Sequence, residues 1–206
     1  AEQSIAALRD AEGQLTHYVC IAKDISTMVQ RENILKEQAH RDRLTGLLNR
    51  HAGESALQSR QTDALERARA YALVLCDVDF FKQINDRHGH PAGDRVLKLL
   101  ANVLQESMGD MADMADIGAV VRWGGEEFLL IVGDADLCDV MHLAERARAA
   151  VADCADPAVG HFTMSVGVAR WLPGECVDDV LLRADRALYR AKHAGRNRVV
   201  LDERNA

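Results

Sequence analysis

Long apolar runs are missing from this 206-residue chain. The longest, Tyr71 to Cys76 and Phe128 to Val132, fall far short of the roughly 20 residues a helix needs to cross a bilayer. No segment has the pattern of a signal peptide. A basic excess is missing as well: the formal net charge is −7, with 25 Lys and Arg against 32 Asp and Glu. A general nucleic-acid binder would present a basic face, so that class is excluded, although a nucleotide can still be held through a metal and local lysines. Cysteine pairing is the third absence. Cys20, Cys76, Cys138, Cys154 and Cys176 show no C-x-x-C spacing, and their odd number rules out complete intrachain pairing. Reduced thiols in the cytoplasm are the expectation. What remains, 48% hydrophobic and 28% charged, suffices for one good core plus a short appendage.

What is present points to a site for metal and phosphate. Trp123-Gly124-Gly125-Glu126-Glu127-Phe128 lies between two apolar runs, Ala119-Val120-Val121 and Phe128 to Val132, which read as the strands of a tight hairpin. Gly124 and Gly125 are expected to take the positive-φ positions of its turn and to let a ligand approach the backbone. Glu126 and Glu127 then sit at the tip on rigid flanks, where a carboxylate can hold Mg²⁺ or accept a proton. By itself the motif also fits a solvated acidic tip.

Upstream, Leu73-Val74-Leu75-Cys76-Asp77-Val78-Asp79-Phe80-Phe81-Lys82 is an apolar strand ending in two acids and a lysine. An acidic strand end is costly without a cation. Alternation places Asp77 and Asp79 on the same side, so one can bind metal while the other supports the loop. The stretch Gln83 to Asp94 reads as a polar turn containing Asn85 and Asp94, followed by the amphipathic segment Val96 to Leu104. Asn offers both a donor and an acceptor, and Asp accepts paired N–H groups such as those on the edge of guanine.

From Tyr71 the pattern predicts strand 71–77, helix 93–107, hairpin strands within 119–132, helix 137–152, strand 161–170, helix 177–193 and strand 197–201. This is β-α-β-β-α-β with an extra helix and strand, the order of an α+β, ferredoxin-like palm. It brings the end of the first strand beside the hairpin tip, and so Asp77 beside Glu126. Before it, Asn49 caps a helix running through Leu57. His88-Gly89-His90 has no third ligand at zinc spacing and reads as loop structure.

With Asp42-Arg43-Leu44-Thr45-Gly46-Leu47-Leu48-Asn49-Arg50 and the run Ala184 to Asn197 in the same order, these motifs resemble a GGDEF-family diguanylate cyclase in its GGEEF spelling. The resemblance covers residues 42 to 203 and implies condensation of two GTP molecules into cyclic di-GMP with release of pyrophosphate. It implies Mg²⁺, with Mn²⁺ as a possible substitute, held by Asp77, the Val78 carbonyl and Glu126. Glu126 or Glu127 is the second-metal ligand or proton acceptor, and the sequence does not divide these roles. Asn85 and Asp94 would bind guanine, while Lys82, Lys192 and Arg196 contact phosphates. Phe80 and Phe81 would offer backbone N–H groups, their side chains packing inward as core. Each chain holds one GTP, so catalysis requires a homodimer; no nucleic-acid or membrane partner is expected within this chain. Many cyclases of the family carry an inhibitory R-x-x-D site ending six residues before the signature. Here Ala115 and Gly118 occupy its Arg and Asp positions, with Asp113 and Asp116 nearby, so product inhibition through that surface is expected to be absent. The alternative function is a catalytically silent module that binds GTP or an effector.

The first forty residues carry a separate message. Ser4 to Arg9 and Leu15 to Ala22 read as a hairpin, and Lys23-Asp24-Ile25-Ser26 leads into a helix with Asp24 or Ser26 as cap. The stretch resembles the last strands of a PAS sensor domain, which implies domains at 1–25 (PAS fragment), 26–41 (linker helix) and 42–206 (cyclase), with the rest of the sensor upstream. A native hairpin packed on the catalytic part is the alternative. Ile25, Met28, Leu35 and Ala39 form a short heptad seam, either a parallel dimer helix or one lying on its own domain.

Overall fold

A computed structural model describes residues 2–9, 13–23, 39–109, 118–134 and 136–205. The cap candidates Asp24 and Ser26, the seam residues Ile25, Met28 and Leu35, and Asp113, Ala115 and Asp116 lie outside the described residues. The chain divides into two compact units, residues 1–40 and 41–206. The first holds β1 (Glu2–Arg9) and β2 (Leu15–Lys23), paired antiparallel from Glu2 opposite Lys23.

The second unit is built on a five-stranded sheet. In chain order its elements are α1 (Arg50–Arg67), β3 (Tyr71–Val78), α2 (Phe81–His88), α3 (His90–Gly109), β4 (Gly118–Arg122), β5 (Glu127–Gly133) and α4 (Leu137–Asp153). A two-residue pair follows, β6 (Ala155–Asp156) with β7 (Gly160–His161), then β8 (Met164–Arg170), α5 (Val177–His193) and β9 (Val199–Leu201). The sheet order is β4-β5-β3-β8-β9, antiparallel except that β9 runs parallel to β8 after the α5 crossover. The first four strands and the helices between them form the ferredoxin-like palm, with α5 and β9 as the added pair.

Alternation along the strands assigns each helix to a face. Ala72, Val74, Cys76 and Val78 of β3, with Phe128, Leu130 and Val132 of β5, pack with Val96, Leu97, Leu100 and Leu104 of α3 and Val140, Leu143 and Ala147 of α4. Tyr71, Leu73 and Leu75, with Leu129 and Ile131, pack with Leu57 and Ala64 of α1 and Val180, Ala184 and Leu188 of α5. A period of two on the strands and of 3.6 on the helices therefore yields two apolar layers on one sheet. Helix α5 lies very close to β8: a Cβ added at Gly167 would strike the backbone of Ala184 and Leu188. Its register is fixed by Arg183, 3% exposed, which pairs with Glu175 at 2.6 Å and Asp202 at 3.0 Å. Breaking such a buried pair costs about 3–5 kcal/mol, so the N-terminal half of α5 is firmly placed.

Three expectations change in detail. The polar stretch after β3 is a short helix, α2, because Phe81 and Ile84 find places in the core. The chain breaks at Gly89, φ 79°, and α3 starts at His90. The last two strands begin later than expected, at Met164 and Val199. Asn49 caps α1 as expected, its Oδ1 accepting from the Ala52 N–H at 3.0 Å, a bond of a kind contributing about 1 kcal/mol.

Candidate active site

The odd-numbered face of β3 ends in Asp77, and that of β5 begins with Glu127. The register sets these two carboxylates directly opposite each other. Like charges facing across a ladder destabilise it, so the pairing implies a cation between or above them. The structure supplies one from the helix on the same face, with Lys192 Nζ 2.8 Å from Asp77 Oδ2. Asp77 is only 4% exposed; burial pushes its carboxyl above the ordinary value, the Lys192 ammonium opposes that, and Glu127 and Asp79 reinforce it. The Glu126 carboxyl is also raised, first by burial and then by the charge of Asp77. The Val78 N–H donates to the Glu126 carbonyl at 3.4 Å, which ties the tip to the strand end.

The tip is a four-residue loop rather than a tight two-residue turn. Trp123 N and Gly124 N both donate to the Glu127 carbonyl, at 2.8 and 3.1 Å. Neither Gly124 nor Gly125 has a positive φ, which corrects the expected reason for the glycines. A Cβ at Gly124 would lie 2.6 Å from Glu127 Oε2 and would displace that carboxylate, whereas Gly125 faces open space. The loop is fastened from outside by Arg122, which donates to the Gly125 carbonyl at 2.8 Å and pairs with Asp42 at 3.0 Å. The Arg50 guanidinium lies 5.0 Å from the centre of the half-buried Trp123 ring.

Asp79 points to the same side as Asp77 and has a different environment. Thr163 Oγ1 and Ser165 Oγ each donate to its carboxylate at 2.6 Å, and the Asn197 N–H donates at 3.0 Å. It supports the loops. Phe80 takes a left-handed conformation, φ 59°, and its side chain is 51% exposed beneath the Arg196 guanidinium. Only Phe81 packs inward, so the expected core role fails for Phe80: the corner turns its ring out of the sheet. Phe81 and Lys82 occupy the first turn of α2, where N–H groups lack intrahelical acceptors.

Asn85 on α2 reaches α3 at Gly93, where an added Cβ would strike its Oδ1. Asp94, the next residue of α3, is exposed. The fold thus gathers Asp77, Glu126, Glu127 and Lys192 at one end of the sheet, with Phe80 and Arg196 at its corner. Among the described residues no three His, Cys, Asp or Glu side chains are grouped so as to hold a metal ion by themselves. The donor set is a buried carboxylate opposite a second one with a third nearby. Its all-oxygen chemistry fits a hard cation that keeps waters and phosphate oxygens among its ligands. Reasoning from sequence missed the fastening by Arg122 and Asp42 and the hydroxyls of Thr163 and Ser165; lone hydroxyls in or beside a strand give no signal of their target.

Residues 39–198 match the family model described as "Diguanylate cyclase, GGDEF domain". The chain is 42% identical over 182 residues to the diguanylate cyclase DgcM of Escherichia coli, covering 88% of this chain and 43% of that protein. It therefore spans less than half the length of that relative. Among solved structures, the GGDEF domain of DgcB from Caulobacter crescentus, determined in complex with c-di-GMP, superposes with a TM-score of 0.75 at 34% identity over 80% of this chain and 96% of the other. The active GGEEF domain of a diguanylate cyclase from Vibrio cholerae gives 0.65 at 30% identity over 73% and 96%.

Proposed function

Since the chain belongs to the GGDEF family of diguanylate cyclases, we propose that it condenses two GTP molecules into cyclic di-GMP with release of pyrophosphate, each chain of a two-fold dimer presenting one GTP to the other. The observation that carries this reading is the meeting of Asp77, Glu127 and Lys192 on one face, with the raised Glu126 carboxyl above them. Asp77, Glu126 and the Val78 carbonyl would hold Mg²⁺, or Mn²⁺ in its place, and Glu127 would serve as a further ligand or as the proton acceptor. When bound, the metal would lower the cost of ionising the attacking 3′-hydroxyl and offset charge on the leaving pyrophosphate.

The chain's own groups do the rest. Asn85 and Asp94 fix the guanine, one by its amide and the other by accepting paired N–H groups. The backbone N–H groups of Phe80 and Phe81 and the charges of Lys82, Lys192 and Arg196 gather the phosphates and stabilise the charge that builds during transfer. Lys192 would exchange its pairing with Asp77 for a phosphate oxygen as the site fills. Because each chain brings one nucleotide, the attacking and attacked atoms come from different subunits, and small changes in dimer geometry alter the rate steeply. The segment before residue 42 would impose that geometry under an upstream PAS sensor.

No inhibitory R-x-x-D site is expected. An added Cβ at Gly118 would strike the Ile131 carbonyl oxygen and come within 2.7 Å of Met108 Cε, so an aspartate has no room there without movement of β4. Incubation of the dimeric protein with GTP and Mg²⁺ should yield cyclic di-GMP and pyrophosphate. A correctly dimeric, sensor-complete protein that binds GTP and makes no product would instead be the silent module.

A further inference from the structure

The loop after α5 is held in a conformation that its residues do not favour. Arg196 and Asn197 have φ values of 63° and 43°, a region that asparagine visits readily but that an arginine keeps only when its surroundings fix it. The helix end supplies one constraint: the Arg196 N–H donates to the Ala191 carbonyl at 3.0 Å across Gly195. The other constraints come from the corner of β3, 118 positions away in sequence. Asp79, 4% exposed, accepts from the Asn197 N–H at 3.0 Å while Thr163 and Ser165 hold both of its oxygens. Phe80 leaves 51% of its surface in solvent although Phe81 beside it packs into the core, and the Arg196 guanidinium sits 4.3 Å from the centre of its ring. That distance lies within the range of cation–π attraction.

We propose that Asp79 and Phe80 are positioning residues for Arg196, fixing the basic loop relative to Asp77 so that its guanidinium meets the triphosphate in one geometry. The inference rests on the nucleotide reading given above. Stacking on Phe80 occupies a flat face of the guanidinium and leaves its in-plane N–H donors for phosphate oxygens, the arrangement in which Arg binds them bidentately. Asp79 sets the backbone and Phe80 sets the side chain. Both belong to the strand end that carries Asp77, so the metal end and the phosphate end of the site cannot drift apart.

Two measurements test this. Hydrogen exchange without nucleotide reads the loop directly: Asp79→Asn should speed exchange of the Asn197 amide more than tenfold, and unchanged protection would overturn the backbone half. Affinity for 3′-deoxy-GTP, which lacks the attacking hydroxyl, reads the purpose: Phe80→Leu should weaken binding by about three- to fivefold, the scale of an exposed cation–π contact, and Asp79→Asn by more. In an Arg196→Ala background both losses should shrink below twofold. Equal losses with and without Arg196 would mean a merely structural role. Should Asp79→Asn fail to fold, the exposed Phe80→Leu pair decides alone. If the unaltered chain binds no 3′-deoxy-GTP, the nucleotide reading falls and takes this assignment with it, an outcome distinct from normal binding that Phe80→Leu leaves untouched.

Discussion

The two structural pieces that meet at the site are secured in different ways. The β3 corner, Asp77 to Phe81, is fixed from within: Asp79 is buried on three donors, Phe81 is anchored in the core, and α2 starts at once. The hairpin tip, Trp123 to Glu126, is held by Arg122, shared between Asp42 and the Gly125 carbonyl, by Arg50 beside the Trp123 ring and by one long backbone bond from Val78. The Arg122–Asp42 ion pair, with side-chain exposures of 17% and 22%, still keeps some contact with solvent, unlike the Asp79 carboxylate at 4%. The corner is thus the more firmly fixed piece, and the tip is the adjustable part. Asp42 lies one residue past the point where the second unit begins.

The largest expected effect is chemical and spares both frames. Glu126→Gln should lower cyclic di-GMP formation by on the order of 10² to 10³ with thermal unfolding unchanged; near-normal turnover would remove Glu126 from the chemistry. Next comes the proposed guanine contact at Asn85. Gly93→Ala pushes a Cβ into Asn85 Oδ1 and should raise KM for GTP about tenfold, the scale of one displaced hydrogen bond to a buried partner. A KM that stays put would detach Asn85 from guanine. Arg122→Ala should then loosen only the tip, cutting kcat about three- to tenfold with KM nearly constant; if KM moves instead, the division into fixed corner and adjustable tip is wrong.

The smallest effect on activity belongs to a pair outside both regions. Asp156, almost fully buried, accepts from Arg95 at 2.7 Å and from the Ala158 and Val159 N–H groups, and chiefly the Arg95 contact holds its carboxyl below the usual range. A folded-state value below the unfolded one contributes stability that is present above about pH 4 and lost as pH falls further. Urea unfolding of Asp156→Asn should accordingly lose part of the acid-side decline seen in the unaltered chain, with turnover at neutral pH within twofold. An identical pH profile for the two proteins would refute the assignment.

Much of this was legible along the chain. Continuous apolar runs matched β3 and β5, β8 starts three residues later than expected, the 3.6-residue pattern matched α5 to the residue, and the acids after apolar strands, Asp77, Glu126 and Glu127, do come together in the fold. The helix α2 was not legible, because Gln83, Asn85, Asp86 and Arg87 read as a turn until Phe81 and Ile84 find their places in the core. Phe80 misled for a related reason: a strand-end aromatic usually packs inward, and only the left-handed turn at that residue sends its ring to Arg196.

Sequence by itself determined most of the elements, their order and the family, since these follow from local apolar patterning and from motifs whose spacing is covalent. Tertiary structure alone decided which of two acids two residues apart does what. Asp77 and Asp79 stand two residues apart and share 4% exposure, yet one faces Glu127 and a lysine while the other, just past the end of β3, takes two hydroxyls and an amide. Those partners come from β5, α5, Thr163 and Ser165, and the loop before β9. The role of a buried carboxylate is set by the charges and donors that surround it, and these are brought together only by the register of the folded sheet.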